Sequence, residues 1–154
     1  ASQAIVDVAV RSPSAGQVEL RPLLAGGELP GQEILDAVEA ACNNKKIRPL
    51  TDLLSVLAPD VVNYSTNLTY YINQDKAAQS IAIQQAVNQA VSDYDLWQKS
   101  RLGRDINPTE LIWRVRGAGA DRVEVTLPVF MELEDYEVAV ADTITATFGG
   151  LMDG

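Results

Sequence analysis

The sequence contains no histidine. That removes Ser-His-Asp and Cys-His triads and every histidine-ligated zinc site. It contains one cysteine, Cys42, which cannot close an internal disulfide or build a thiolate cluster. Aromatic residues fill only 6% of the 154 positions, so the core must rest on Val, Leu, Ile and Ala. Positive charge is scarce: 12 Lys and Arg stand against 21 Asp and Glu, a formal charge of −9. That balance argues against an overall electrostatic grip on nucleic acid or on an anionic membrane. No stretch approaches the roughly 18 apolar residues of a membrane-spanning helix. The opening Ala1-Ser2-Gln3-Ala4-Ile5 lacks the basic-then-apolar pattern of a secretory signal. It also lacks an initiator Met, as expected of a processed chain or a piece of a longer one.

What remains is ordinary globular material, 47% hydrophobic and 21% charged, enough for one domain or two very small ones. The start alternates, with Ile5, Val6, Val8 and Val10 broken by Asp7 and Ala9. A turn follows at Ser12-Pro13-Ser14-Ala15-Gly16, then a second β-like run from Val18 to Leu24. The pair predicts a hairpin, with Pro22 placing the second strand at a sheet edge or bulge. After the loop Ala25–Gly31, the spacing of Ile34, Leu35, Val38, Ala41 and Cys42 predicts a helix over 32–43. Asn43-Asn44 is its expected stop, and Lys45 and Lys46 suit its negative end.

Leu53 to Leu57 reads as a short strand and Val61 to Ile72 as a longer one. The longer strand should bury Val62, Tyr64, Thr66, Leu68 and Tyr70 and turn Asn63, Ser65, Asn67, Thr69 and Tyr71 outward. A long helix over 76–99, capped by Asp75, carries the stripe Ile83, Val87, Ala90, Val91, Tyr94 and Trp97. Its other face is polar but nearly uncharged: Gln79, Gln85, Asn88, Gln89 and Ser92. Asn107-Pro108-Thr109-Glu110 is a helix start in which Asn107 caps, Pro108 takes the first helical position and Glu110 reaches back. The helix over 108–116 buries Leu111, Ile112 and Val115. Gly117 and Gly119 turn the chain into a strand over 121–127, with Val123, Val125 and Leu127 on one face. Thr143–Phe148 is a final strand, and 149–154 a loose end. The order predicts an α+β fold of two small subdomains, each a mixed or antiparallel sheet packed against helices. Pro59-Asp60 marks the expected boundary, giving subdomains 1–58 and 59–154.

The chemistry-bearing clusters favour plain readings. The acidic group Glu132, Glu134, Asp135 and Glu137 lacks the Ca²⁺-loop signature and reads as a solvated turn, or as a dock for a basic surface. Asp52 and Asp60, eight residues apart across a proline, carry no acid–base geometry. Gly26-Gly27 precedes a helix, but Leu29-Pro30-Gly31-Gln32 is not the Gly-Lys-Ser/Thr end of a phosphate loop. Asn63-Tyr64-Ser65 and Asn67-Leu68-Thr69 match the glycosylation sequon within a polar strand face. Cys42 lies on an apolar helix face with no neighbouring base. Arg48, Arg101, Arg104, Arg114, Arg116 and Arg122 fit either internal ion pairs or a basic face for a neighbouring subunit.

Several strings occur in a set order: Ser12-Pro13-Ser14-Ala15-Gly16-Gln17-Val18; Arg48-Pro49-Leu50-Thr51-Asp52, then a strand ending in Tyr70-Tyr71; and Arg101-Leu102-Gly103-Arg104-Asp105-Ile106, then Gly119-Ala120-Asp121-Arg122-Val123-Glu124-Val125. In this order the chain resembles the C-terminal half of the baseplate assembly protein J family of contractile-tailed phages and tailocins. The resemblance runs from about Ala4 to Leu127; residues 129–154 match no pattern of it. It implies a structural, non-enzymatic part of a tail baseplate wedge, placed in the virion and assembled in the bacterial host cytoplasm. It implies contacts with other wedge proteins and with neighbouring copies of the chain, no cofactor, and no nucleic-acid or membrane binding by this segment. Arg48, Pro49, Asp52, Arg101, Gly103, Arg104, Asp105, Arg114, Arg116, Glu132, Glu134 and Asp135 are then expected to fix turns or meet a neighbour. A small adaptor for one soluble partner is the alternative, and a carboxylate-based hydrolase the remotest.

Overall fold

The computed structural model describes residues 4–42 and 53–153. The described residues form an α+β fold, with two three-stranded sheets and three α-helices. It divides into two compact units: Ala1–Val61 with Lys99–Arg104 and Leu133–Val138, and Val62–Gln98 with Asp105–Glu132 and Ala139–Gly154.

In the first unit, β1 (Ile5–Arg11) and β2 (Gln17–Leu24) form the expected hairpin, and β3 (Leu53–Val56) joins β2 in parallel. The sheet order is β1-β2-β3, so the strand carrying Pro22 is central, not an edge. The reason it tolerates proline is local. β3 pairs only with Gln17–Leu20, and Pro22 lies beyond that ladder, where no donor toward β3 is required. Helix α1 (Gln32–Cys42) buries Leu35 against Leu54 and Val56, with Val18, Leu20, Val38 and Cys42 around them. Ala41, expected on this face, is exposed. The predicted stop at Asn43-Asn44 and the lysines after it lie outside the described residues.

In the second unit, β4 (Asp60–Asn73) lies between β5 (Arg122–Leu127) and β6 (Glu137–Met152). Its two faces follow the alternation. Tyr64, Thr66, Leu68, Tyr70 and Ile72 are buried, while Asn63 and Asn67 are exposed. Helices α2 (Ser80–Lys99) and α3 (Pro108–Gly117) complete the core with Val87, Val91, Tyr94, Leu111 and Val115. The Tyr64 and Tyr94 rings meet edge-on, 6.3 Å apart at 82°, a favoured aromatic geometry.

Two helix starts differ in instructive ways. Before α2 the chain makes a 3₁₀ stretch, Gln74–Gln79, and its cap is Asn73 rather than Asp75. The Asn73 carboxamide accepts from the Asp75 N–H, while the Asn73 N–H donates to Asp121 at 2.6 Å. Lys76 Nζ reaches the same carboxylate at 3.0 Å. These two donors, the backbone N–H first, hold the Asp121 carboxyl below its ordinary value of 3.8. Because the folded value is the lower one, this contribution is present above 3.8 and is lost as pH falls through the folded value. The urea midpoint gap between wild type and Asp121→Asn is therefore expected to be full at neutral pH and to close under acid.

At α3 the cap is as expected: Asn107 accepts from the Thr109 N–H at 3.1 Å, with Pro108 following. Glu110 does not reach back. Its carboxylate turns one turn onward and accepts from Arg114 Nε at 2.8 Å. Asn107→Ala is expected to cost about 1 kcal/mol in thermal or urea unfolding. The Asn107 carbonyl that accepts from Tyr94 Oη is kept in that variant.

The expected end strand over 143–148 belongs to a much longer one. β6 runs sixteen residues and takes in Gly149 and Gly150, expected as part of a loose end. A Cβ at Gly149 would lie 2.5 Å from the Tyr71 ring, so that ring occupies the place of a side chain across the two strands. The Arg122 guanidinium lies 4.9 Å from the same ring.

Candidate interaction surfaces

The Arg101–Arg104 part of the turn and the acidic residues Glu134, Asp135 and Glu137 come together in the first unit. Gly103, at φ +70, donates its N–H to the Glu137 carbonyl at 2.8 Å, and a Cβ there would lie 3.2 Å from Asp135 Cα. Glycine is thus required twice, for the backbone angle and for the close approach. Arg104 Nη1 donates to Ser100 Oγ at 3.1 Å, and Arg101 is exposed. Glu134 and Asp135 are exposed beside the turn, where the Glu137 carboxylate accepts from the Glu134 N–H. Arg48, Pro49 and Asp52 lie outside the described residues. Arg114 and Arg116 sit on α3 in the second unit, and exposed Glu132, which follows Met131, belongs to the same unit. The Asp105 carbonyl accepts from Gln98 Nε2 at 2.9 Å, also in the second unit.

Sequence reading missed a second polar cluster in the first unit. Arg21 pairs with Glu19 at 2.8 Å and Asp60 at 3.0 Å, and donates to the Ala58 carbonyl. Arg11 reaches the other Glu19 oxygen at 3.3 Å, and both guanidinium groups lie over the Tyr136 ring, at 4.4 and 5.0 Å. Glu19 and Arg21 alternate on one strand, which is the only signal the sequence carried. Asp60 and Tyr136 are brought in by the fold.

Among the described residues, three apolar surfaces stand out as open. Val8 and Val10 pair with Pro22 and Leu20 and so share the face that α1 covers, yet they are exposed. The helix packs over β2 and β3, leaving β1 bare. On α3, Leu111 and Val115 point inward. Trp113 stands two residues from each, about 200° round the helix, and is 69% exposed. It walls a groove of about 370 Å³ between α2 and α3, whose floor is small: Ala86, Ala90, Gly117 and Ala118. The third surface is Leu127-Pro128-Val129-Phe130-Met131, an unbroken apolar run outside any helix. Leu127 is held in register with Asn67, and Met131 exchanges two backbone hydrogen bonds with Ile106, at 2.9 and 3.1 Å. Between these anchors Val129 and Phe130 are 66% and 57% exposed.

Tyr64 Oη donates to the buried Asp95 carboxylate at 2.7 Å. Burial first, then this hydrogen bond, pushes the Tyr64 phenol far above its usual range, so it stays a protonated donor. Among the described residues no three His, Cys, Asp or Glu side chains gather to hold a metal, and no helix is long and apolar enough to cross a membrane.

The model of the baseplate J-like central domain matches residues 1–58, and that of the baseplate J-like protein C-terminal domain matches residues 66–147. The second match reaches well past Leu127, where the sequence motifs stop. Baseplate protein J of Escherichia phage P2 is 28% identical over 126 residues, covering 81% of this chain and 41% of that protein. The chain thus spans about two fifths of the length of that curated relative. The fold is similar to a chain in the cryo-EM structure of the anti-feeding prophage baseplate, six-fold symmetrised, with a TM-score of 0.58 and 14% identity over 86% of this chain and 31% of that one. With its C-terminal domain model matching more than half of the residues, this chain belongs to the baseplate J-like protein family.

Proposed function

We propose that the chain is a structural, non-enzymatic component of a contractile tail baseplate, acting through protein–protein contacts with wedge proteins and with neighbouring copies of itself. The family membership carries this reading. The surfaces support it: apolar patches stay open on the described residues, and backbone hydrogen bonds fix the turns beside them. A chain of similar fold stands in the anti-feeding prophage baseplate, whose structure is six-fold symmetrised. In such a ring, individually weak contacts are multiplied by symmetry. Arg101, Gly103, Arg104 and Asp105 act in this reading mainly by shaping the turn that carries the acidic stretch, and Pro59-Asp60 divides two subdomains. The site of action is the virion tail.

Tagging the chain in the phage or injection system that encodes it, and locating the label on purified tails, tests the reading. Label at the baseplate end supports it. Label absent from tails and found on a soluble host or viral protein would replace it with a free adaptor.

A further inference from the structure

An edge strand presents a row of backbone N–H and C=O groups to any chain that can pair with it. Soluble proteins blunt such edges with short strands, charge, proline or a bulge. Among the described residues the two sheets end in four edge strands, β1 and β3 in one and β5 and β6 in the other. Three of the four are blunted. β3 has four residues. β1 has a bulge between Ile5 and Asp7 and carries Asp7 and Arg11. β5 has six residues, carries the Arg122–Glu124 ion pair and runs into Pro128. β6 is different. It runs sixteen residues, and no described strand pairs with its outer side. From Thr143 to Met152 it holds no charge and no proline. Its part Thr143–Phe148 is made mostly of strand formers, the uncharged composition that adds a further strand most readily. Thr143, Thr145 and Thr147 are exposed on one face. On the other, Ile144 is 49% exposed, and Phe148 meets Tyr70 with ring centroids 5.6 Å apart. Exposed Asp142 and Asp153 stand at the two ends of the stretch. No Lys or Arg follows Arg122 in the sequence. Among the described residues neither carboxylate lies within ion-pair distance of a cation.

We propose that β6 takes up an extended segment of a different protein as a further strand of its sheet. The segment is an uncharged run rich in β-branched residues, with Lys or Arg at its ends facing Asp142 and Asp153. Main-chain hydrogen bonds supply the affinity. Alternate side chains supply the choice of partner, apolar beside Ile144 and hydroxyl-bearing beside the threonines. Pairing of two β6 strands in register is disfavoured in both directions. Parallel strands would set Asp142 against Asp142, and antiparallel strands would set Asp142 against Asp153. Like charges directly opposite each other are destabilising. The inference rests on the baseplate reading for where the partner is found, among the other tail proteins, and goes beyond it in the form that the contact takes.

Hydrogen exchange of the free chain, and of the same chain within purified tails, tests it. In the free chain the outward amides of residues 143–148 should exchange fast while those bonded to β4 stay protected. In tails the outward set should slow at least about tenfold. A photoreactive side chain in place of exposed Thr145 should cross-link, in those tails, to one segment of another tail protein that has Lys or Arg at its ends. Asp142→Lys combined with Asp153→Lys, both at exposed positions, should cut that cross-link at least about tenfold. Equal exchange in the free chain and in tails overturns the proposal. So does the lack of any cross-link, a cross-link only to another copy of this chain or to a segment without basic ends, or one that the charge reversal leaves unchanged. If the chain sits at the baseplate while this edge exchanges freely, the edge contact falls and the baseplate reading stands; if the chain is absent from tails, both fall.

Discussion

Gly27→Ala is expected to lower the unfolding free energy by about 3 kcal/mol, while Gly26→Ala next to it costs only about 1 kcal/mol. Both glycines are left-handed, at φ +74 and +76. They differ in what a methyl group would meet. At Gly26 nothing lies within 4 Å, so the penalty is that of the backbone angle alone. At Gly27 a Cβ would lie 2.5 Å from the Lys99 carbonyl oxygen and 2.6 Å from its Cγ. The oxygen is backbone and cannot swing aside, so the turn or the end of α2 must shift. Urea unfolding of both variants checks the difference, and equal losses would mean that the Lys99 contact does not matter.

Gln98→Leu is the second large effect, expected to cost about 2–4 kcal/mol. Gln98 is fully buried at the end of α2. Its Nε2 donates to the Asp105 carbonyl at 2.9 Å, and its Oε1 accepts from the Asn107 N–H at 3.4 Å. Leucine is of similar size but offers neither group, so two backbone atoms of the loop leading into α3 lose a buried partner. Exposed Gln85 on the same helix provides the control, since leucine there should change stability by no more than about 0.5 kcal/mol. Hydrogen exchange adds a local test: the Asn107 amide should lose protection in Gln98→Leu and keep it in Gln85→Leu.

These residues show where sequence reasoning succeeds and where it stops. The two faces of β4, the inward Leu35 with Val38 and Cys42 on α1, and the Asn107-Pro108 start of α3 were legible because each is a local pattern whose reason lies within a few residues. Gln98 was not, because a glutamine on a polar-looking helix gives no sign that the chain returns over it seven residues later. Asn73 outranked Asp75 as a cap because Asp121, distant in sequence, accepts its N–H. The C-terminal end of β6 was hidden by Gly149 and Gly150, which weaken strand propensity; Tyr71, from the neighbouring strand, fills the gap at Gly149. Of the surfaces, the sequence indicated the Arg101–Asp105 turn and the acidic stretch separately. It did not indicate that Gly103 sets one against the other. Trp113 was readable in principle, from its place opposite Leu111 and Val115. The apolar run after Leu127 was readable too, as a hydrophobic stretch with no element to bury it.

The central proposal is that this chain is a structural part of a tail baseplate. The most direct measurement is deletion of the region in the phage or injection system that encodes it, followed by electron microscopy of the tails. Missing or broken baseplates, with the other tail proteins still produced, are the predicted result. Normal contractile tails ending in intact baseplates would contradict the account.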